Sequence, residues 1–175
     1  DGTVKDQLEI SDGLGGFFPE SLDESDKFGS SIASPGDLDG DGVADLVVGA
    51  ESDENDGDLA GNGDLSEGAV YVLFLNADGT VKSHLKISDG LSGFLPDSRD
   101  GRSEFGRSIA SIGDLDGDGI GDLAVGAPRD ESLDGSVYIL FLNSDGSVRD
   151  EVKIIGGPEG SLFNSSSLFG ESVAN

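Results

Sequence analysis

The run GDLDGDGVADL, Gly36 to Leu46, returns as GDLDGDGIGDL, Gly113 to Leu123, and this doubled loop constrains the chain more than any other feature. Each copy sets aspartates at loop positions 1, 3, 5 and 9: Asp37, Asp39, Asp41 and Asp45, then Asp114, Asp116, Asp118 and Asp122. Glycine stands at position 6 both times, as Gly42 and Gly119, where the chain must bend sharply. An acidic turn needs one Asp-Gly pair, not the same ladder twice. Clustered carboxylates repel one another unless a cation joins them. Calcium takes about 6–8 oxygens at roughly 2.3–2.6 Å, and alternating aspartates on a curled loop point several carboxylates inward. The carbonyl at position 7, of Val43 or Ile120, would add a neutral oxygen. Magnesium fits less well, because it prefers a few carboxylates and several waters.

These are not helix–loop–helix calcium hands, which end in a bidentate glutamate at position 12. Position 12 is Val48 in one copy and Val125 in the other, which also argues against dockerin-type repeats. The closing charge falls to position 9. The loop then runs into DLVVGA or DLAVGA, a short apolar stretch that reads as a strand, so each loop joins two strands.

The repeat extends beyond the loops. DGTVKDQLEISDG, Asp1 to Gly13, matches DGTVKSHLKISDG, Asp78 to Gly90, and more loosely DGSVRDEVKIIGG, Asp145 to Gly157. The second interval is shorter, and the difference lies between Ala50 and Tyr71. Phe-Gly recurs at Phe28, Phe105 and Phe169. Each unit reads as four strands: FGSSIAS or FGRSIAS, DLVVGA or DLAVGA, AVYVLFLN or SVYILFLN, then TVKSHLKIS or its equivalent. Asp78-Gly79 and Asp145-Gly146 make hairpin turns between the last two. The third strand is apolar on both faces and reads as buried. The fourth alternates, with Leu85 and Ile87 against His84 and Lys86, and reads as half solvated. Buried inner strands with a half-wet outer strand suit an all-β propeller of four-stranded antiparallel blades.

Phe-Gly, then GDLDGDG, then VVGA or VGAP resembles the FG-GAP repeats of integrin α-subunit β-propellers and their bacterial relatives. The resemblance implies a four-stranded blade with calcium in the hairpin between its first two strands. It implies the ligands Asp37, Asp39, Asp41, Asp45 and the Val43 carbonyl, and then Asp114, Asp116, Asp118, Asp122 and the Ile120 carbonyl. The first copy departs from the GAP ending, because Glu51 follows Ala50 where the second copy has Pro128. The expected division is 1–13, the fourth strand of a preceding blade; 14–90 and 91–157, complete repeats; and 158–175, the first strand of a third. Propellers have about 4–8 blades, so this segment is an incomplete ring. The ends are expected to pair with neighbouring repeats or with another copy of the chain. Thr3 to Ser11 is the candidate fourth strand, and Phe169 to Asn175 the candidate first.

Composition narrows the function. The net charge is −26, from 36 acidic against 10 basic residues. Nucleic acid and anionic membrane both demand positive patches, so neither is an expected partner. No apolar run approaches a membrane span. With 35% apolar residues and 29 glycines, a packed core remains within reach. No cysteine is present, so metal and not disulfide would provide cross-linking. Methionine is also absent, which marks a processed product or a segment of something longer. Calcium loops of this kind fit an extracellular or cell-surface location.

Other groups have plainer readings. The insert Asp53 to Asp64 offers Asp53, Asp56, Asp58 and Asp64 as a third cation site, but its spacing is irregular and reads as a solvated loop. Phe17, Phe18, Phe94 and Leu95 recur in GFFPES and GFLPDS. They read as plugs under the sheets, with an exposed ligand patch as the alternative. His84, among lysines, reads as a solvated side chain, and Tyr71 and Tyr138 as core. With no thiol and no G-x-S-x-G serine, no nucleophile stands out. The sequence therefore reads as a calcium-stabilised, non-enzymatic segment with a structural or adhesive role. Two alternatives stay open: an integrin-like head recognising an extracellular protein or glycan, and an accessory region of a secreted hydrolase.

Overall fold

The computed structural model describes residues 2–4, 6–19, 22–54, 67–95, 102–130, 134–156 and 168–174. Its strands are β1 (Phe28–Gly36), β2 (Asp45–Ala50), β3 (Ala69–Leu75), β4 (Val81–Ile87), β5 (Ser108–Gly113), β6 (Asp122–Ala127), β7 (Ser136–Leu142) and β8 (Val148–Ile155). They form two four-stranded antiparallel sheets, β1-β2-β3-β4 and β5-β6-β7-β8. The chain is all-β, built of propeller-type blades, and these two do not close a ring. Every residue of β3, AVYVLFL, is buried. Its β-branched, aromatic and leucine side chains fill both faces of the sheet. The β3–β4 turn closes through Asn76 and Thr80, with the Asp78 carboxylate accepting the Thr80 N–H at 3.0 Å. The β7–β8 turn repeats this with Asn143, Ser147 and Asp145.

The larger core lies between the sheets. Val70, Val72, Phe74 and Ile87 of the first pack with Ile109, Leu123, Val125, Tyr138 and Leu140 of the second. A second cluster lies on the opposite face of the first sheet, around Phe17, Tyr71 and Leu73. Strand β5 runs beside β1, which sets the first strands of neighbouring blades next to each other.

The Phe-Gly motif forms the joint between units. Phe105 makes a parallel bridge to Gly68, and Phe169 makes the same bridge to Gly135. The Gly106 carbonyl accepts the Ser31 hydroxyl at 2.7 Å, and the Gly170 carbonyl accepts that of Ser108 at 2.8 Å. Each carbonyl lies so close to a strand glycine, Gly49 or Gly126, that a side chain there would collide with it. The glycine of the VGA motif is therefore required by the neighbouring unit's backbone.

Thr3 to Ser11 forms no strand among the described residues; Ser11 only bridges Leu14. Phe169 to Asn175 likewise forms no strand in its described part, where Phe169 bridges Gly135. His84 is half-buried rather than solvated, its ring edge-on to Phe17 at 5.0 Å. The loop carrying Phe17 covers the side of β4 that alternation had assigned to water.

Candidate metal centre

Each acidic loop leaves the first strand of its sheet and enters the second. Asp37 organises the first loop: its Oδ1 accepts the N–H groups of Gly40 (2.8 Å) and Asp41 (3.0 Å), and its Oδ2 that of Gly42 (2.8 Å). Asp114 does the same to Gly117, Asp118 and Gly119 at 2.7, 3.0 and 2.9 Å. Gly42 and Gly119 have φ of 90° and 92°, a left-handed bend open to glycine. Asp39 Oδ1 accepts from Asp41 N at 3.3 Å, and Asp41 Oδ1 from Val43 N at 2.8 Å. Asp116 and Asp118 repeat both bonds, at 3.2 and 2.8 Å. The side chains of Val43 and Ile120 are half-buried against the apolar clusters, anchoring the position-7 end of each loop.

The position-9 aspartates differ from the rest in being fully buried. Asp45 accepts the N–H of Leu38 at 2.9 Å and that of Leu75 at 3.0 Å, tying the loop to the end of β3. Asp122 does so with Leu115 at 2.8 Å and Leu142 at 3.4 Å. The position-9 carboxylate is thus a clamp within the fold as well as a metal-ligand candidate.

Oxygens from Asp37, Asp39 and Asp45 lie within 4.8 Å of one another, as do oxygens from Asp114, Asp116 and Asp118. Oxygens around a calcium ion can stand at most about twice the roughly 2.4 Å bond length apart, so both sets fit one. Asp41 and Asp122 lie in their loops but outside these trios. Both trios are carboxylate-only, a hard-oxygen donor set that suits calcium over softer metals.

Two residues that sequence reasoning did not place in the loops contact them. Lys82, on β4, pairs with Asp39 at 2.6 Å and with Asp41. Arg149, at the matching place on β8, pairs with Asp116 and Asp118. The Lys82 ammonium and the Val43 N–H hold the Asp41 carboxyl below the usual carboxylate range, and Asp39 and Asp41 push the Lys82 pKa up. A visible signal existed: a basic residue follows valine in both TVK and SVR.

The insert reads differently in structure. Asp53 is buried, accepts the Tyr71 hydroxyl at 2.7 Å and pairs with Lys86 at 2.6 Å. Asp130, Tyr138 and Lys153 repeat the arrangement. Asp53 therefore belongs to a buried structural pair; Asp56, Asp58 and Asp64 lie outside the described residues. Phe17 and Phe94 are the plugs, stacked on the motif phenylalanines Phe28 and Phe105 at 4.9 and 4.5 Å. Phe18 and Leu95 are instead exposed, at 66% and 68%. Among the described residues no helix is long and apolar enough to cross a membrane.

Residues 105–140 match the model of the FG-GAP repeat. The chain is similar to Integrin alpha-3 of Cricetulus griseus, 44% identical over 134 residues, covering 74% of this chain and 11% of the relative. It is similar to Integrin alpha-4 of Xenopus laevis, 33% identical over 149 residues, covering 85% and 13%. Integrin alpha-PS2 of Drosophila melanogaster is 34% identical over 117 residues, covering 67% and 8%. The chain thus spans a small part, 8% to 13%, of the length of these relatives. With its loops, glycine joints and blade-like sheets, this chain belongs to the FG-GAP repeat family.

Proposed function

We propose that this chain is a calcium-stabilised, non-enzymatic propeller segment that acts outside the cell in a structural or adhesive role. The observation that carries the reading is the pair of matching loops, each with three carboxylates close enough to share one ion. Asp37, Asp39, Asp41, Asp45 and the Val43 carbonyl would hold one ion. Asp114, Asp116, Asp118, Asp122 and the Ile120 carbonyl would hold the other. Such an ion would neutralise carboxylates that otherwise repel, in a chain of net charge −26. It supplies cross-linking and no chemistry on a substrate. Similarity to integrin alpha chains supports the adhesive role.

The repeat boundaries we propose are 14–90 and 91–157, with 1–13 and 158–175 belonging to neighbouring blades. Those neighbours are further repeats of a longer chain or a second copy of this one. The outer face of the second sheet supports this, since Val152 and Ile154 are 49% and 45% exposed there while Ile87, the counterpart of Ile154, is fully buried. A second reading, recognition of an extracellular protein or glycan, is favoured by Phe18 and Leu95. They stand exposed at the same place in both units. Binding to the native form alone stabilises it by about 2.7 kcal/mol per site at a hundredfold excess over the dissociation constant. Chelation is expected to lower the melting temperature, with magnesium restoring less than calcium. An unchanged melt after verified metal removal would end the calcium reading. Light scattering of the segment, with and without residues 169–175, tests self-association.

A further inference from the structure

Each acidic loop carries its own counter-cation, and we propose that Lys82 and Arg149 compete with the metal for the carboxylates at positions 3 and 5. The inference rests on the calcium reading of the loops. At both positions the backbone engages one oxygen. Oδ1 of Asp39 and Asp41 accepts the N–H groups of Asp41 and Val43, and Oδ1 of Asp116 and Asp118 accepts those of Asp118 and Ile120. That leaves Oδ2 of each for a cation. Those four Oδ2 atoms are the ones that Lys82 and Arg149 contact. The same oxygens are thus gripped in both units by different basic side chains. Lys82 and Arg149 reach them from the same place, next to the first residue of the outer strand.

Basic residues are scarce, 10 against 36 acids, so placing one on each loop is a marked use of them. Without metal, the side chain relieves the repulsion between two carboxylates and keeps the loop folded. With metal, it must give up Oδ2. The cost of its release is set against metal affinity, and the loops remain ordered when the metal leaves. The two locks differ in strength. Arg149 divides its guanidinium between the carboxylates, one nitrogen on each. Lys82 offers a single ammonium to both, and a planar fork is the stronger grip. The second loop is therefore the weaker calcium site.

The test is calorimetric titration of calcium into the unaltered chain, Lys82→Gln and Arg149→Gln, with melts in chelator. Each substitution is expected to tighten calcium binding at its own loop by about tenfold, the effect of losing two partly exposed ion pairs. Each is also expected to lower the melting temperature in chelator. Arg149→Lys is expected to move the second site toward the first. Two sites in the unaltered chain, with affinities unchanged or weakened in both glutamine variants, would overturn this inference and leave the calcium reading intact. No calcium uptake by the unaltered chain would overturn both.

Discussion

The two units have the same loop, the same Phe–Phe–Tyr stack and the same buried Asp–Lys pair, yet they differ in what covers them. Leu38 is 2% exposed and its counterpart Leu115 is 58%; Ile87 is fully buried and Ile154 is 45% exposed. In each pair the first-unit residue is covered by the second unit. On the other side the order reverses, with Ile32 60% exposed and Ile109 at 7%. The Phe-Gly glycines follow suit: Gly106 is buried in the neighbouring unit and Gly29 is exposed. Equal sequences thus have unequal burial. A blade completes its core only when another stacks on each face, which is how repeat proteins derive stability from their neighbours.

The largest expected effect comes from breaking this asymmetry directly. Ile87→Ala is expected to cost about 2–5 kcal/mol, and Ile154→Ala under about 1 kcal/mol, because only the first leaves a cavity. Urea unfolding of both variants measures it, and equal losses would mean that the second face is covered too. A smaller effect is expected at the glycine joints. Gly49→Ala sets a methyl group against the Gly106 carbonyl and should cost about 1–3 kcal/mol. Gly126→Ala meets the Gly170 carbonyl in the same way and should also destabilise the chain.

The smallest effect concerns a buried acid that the second unit lacks. Asp26 is 2% exposed, and burial raises its pKa to about 6; Ser103 stands at the matching place. A raised carboxyl pKa favours the folded state when protonated. Its contribution is fully present below the unfolded value of 3.8 and is lost as pH rises through about 6. Asp26→Asn is therefore expected to stabilise the chain by about 1 kcal/mol above pH 7. It should also flatten the pH dependence between those two values. Melts across that range check it, and a variant less stable at pH 8 would contradict it.

Much of this was legible in sequence because it is local. The aspartate spacing, the Asp-Gly hairpins and the apolar third strand each follow from neighbouring residues. The role of Phe17 and Phe94 as plugs was legible from their repetition, but the exposure of Phe18 and Leu95 beside them was not, since one residue along a chain reverses the face. Lys82 was missed as a loop partner because it meets Asp39 only once β4 has closed onto the sheet. The burial of Asp53 is not legible in the sequence, because its partners, Tyr71 and Lys86, arrive from β3 and β4.

The central claim is that both loops are calcium sites, and stoichiometry tests it most directly. Calorimetric titration of the metal-stripped chain is expected to give two sites. Asp37→Asn and Asp114→Asn each keep one of the two oxygens that accept loop N–H groups, and each is expected to weaken one site while leaving the other. Two sites unchanged in both variants, or no heat of binding in the unaltered chain, would contradict the account.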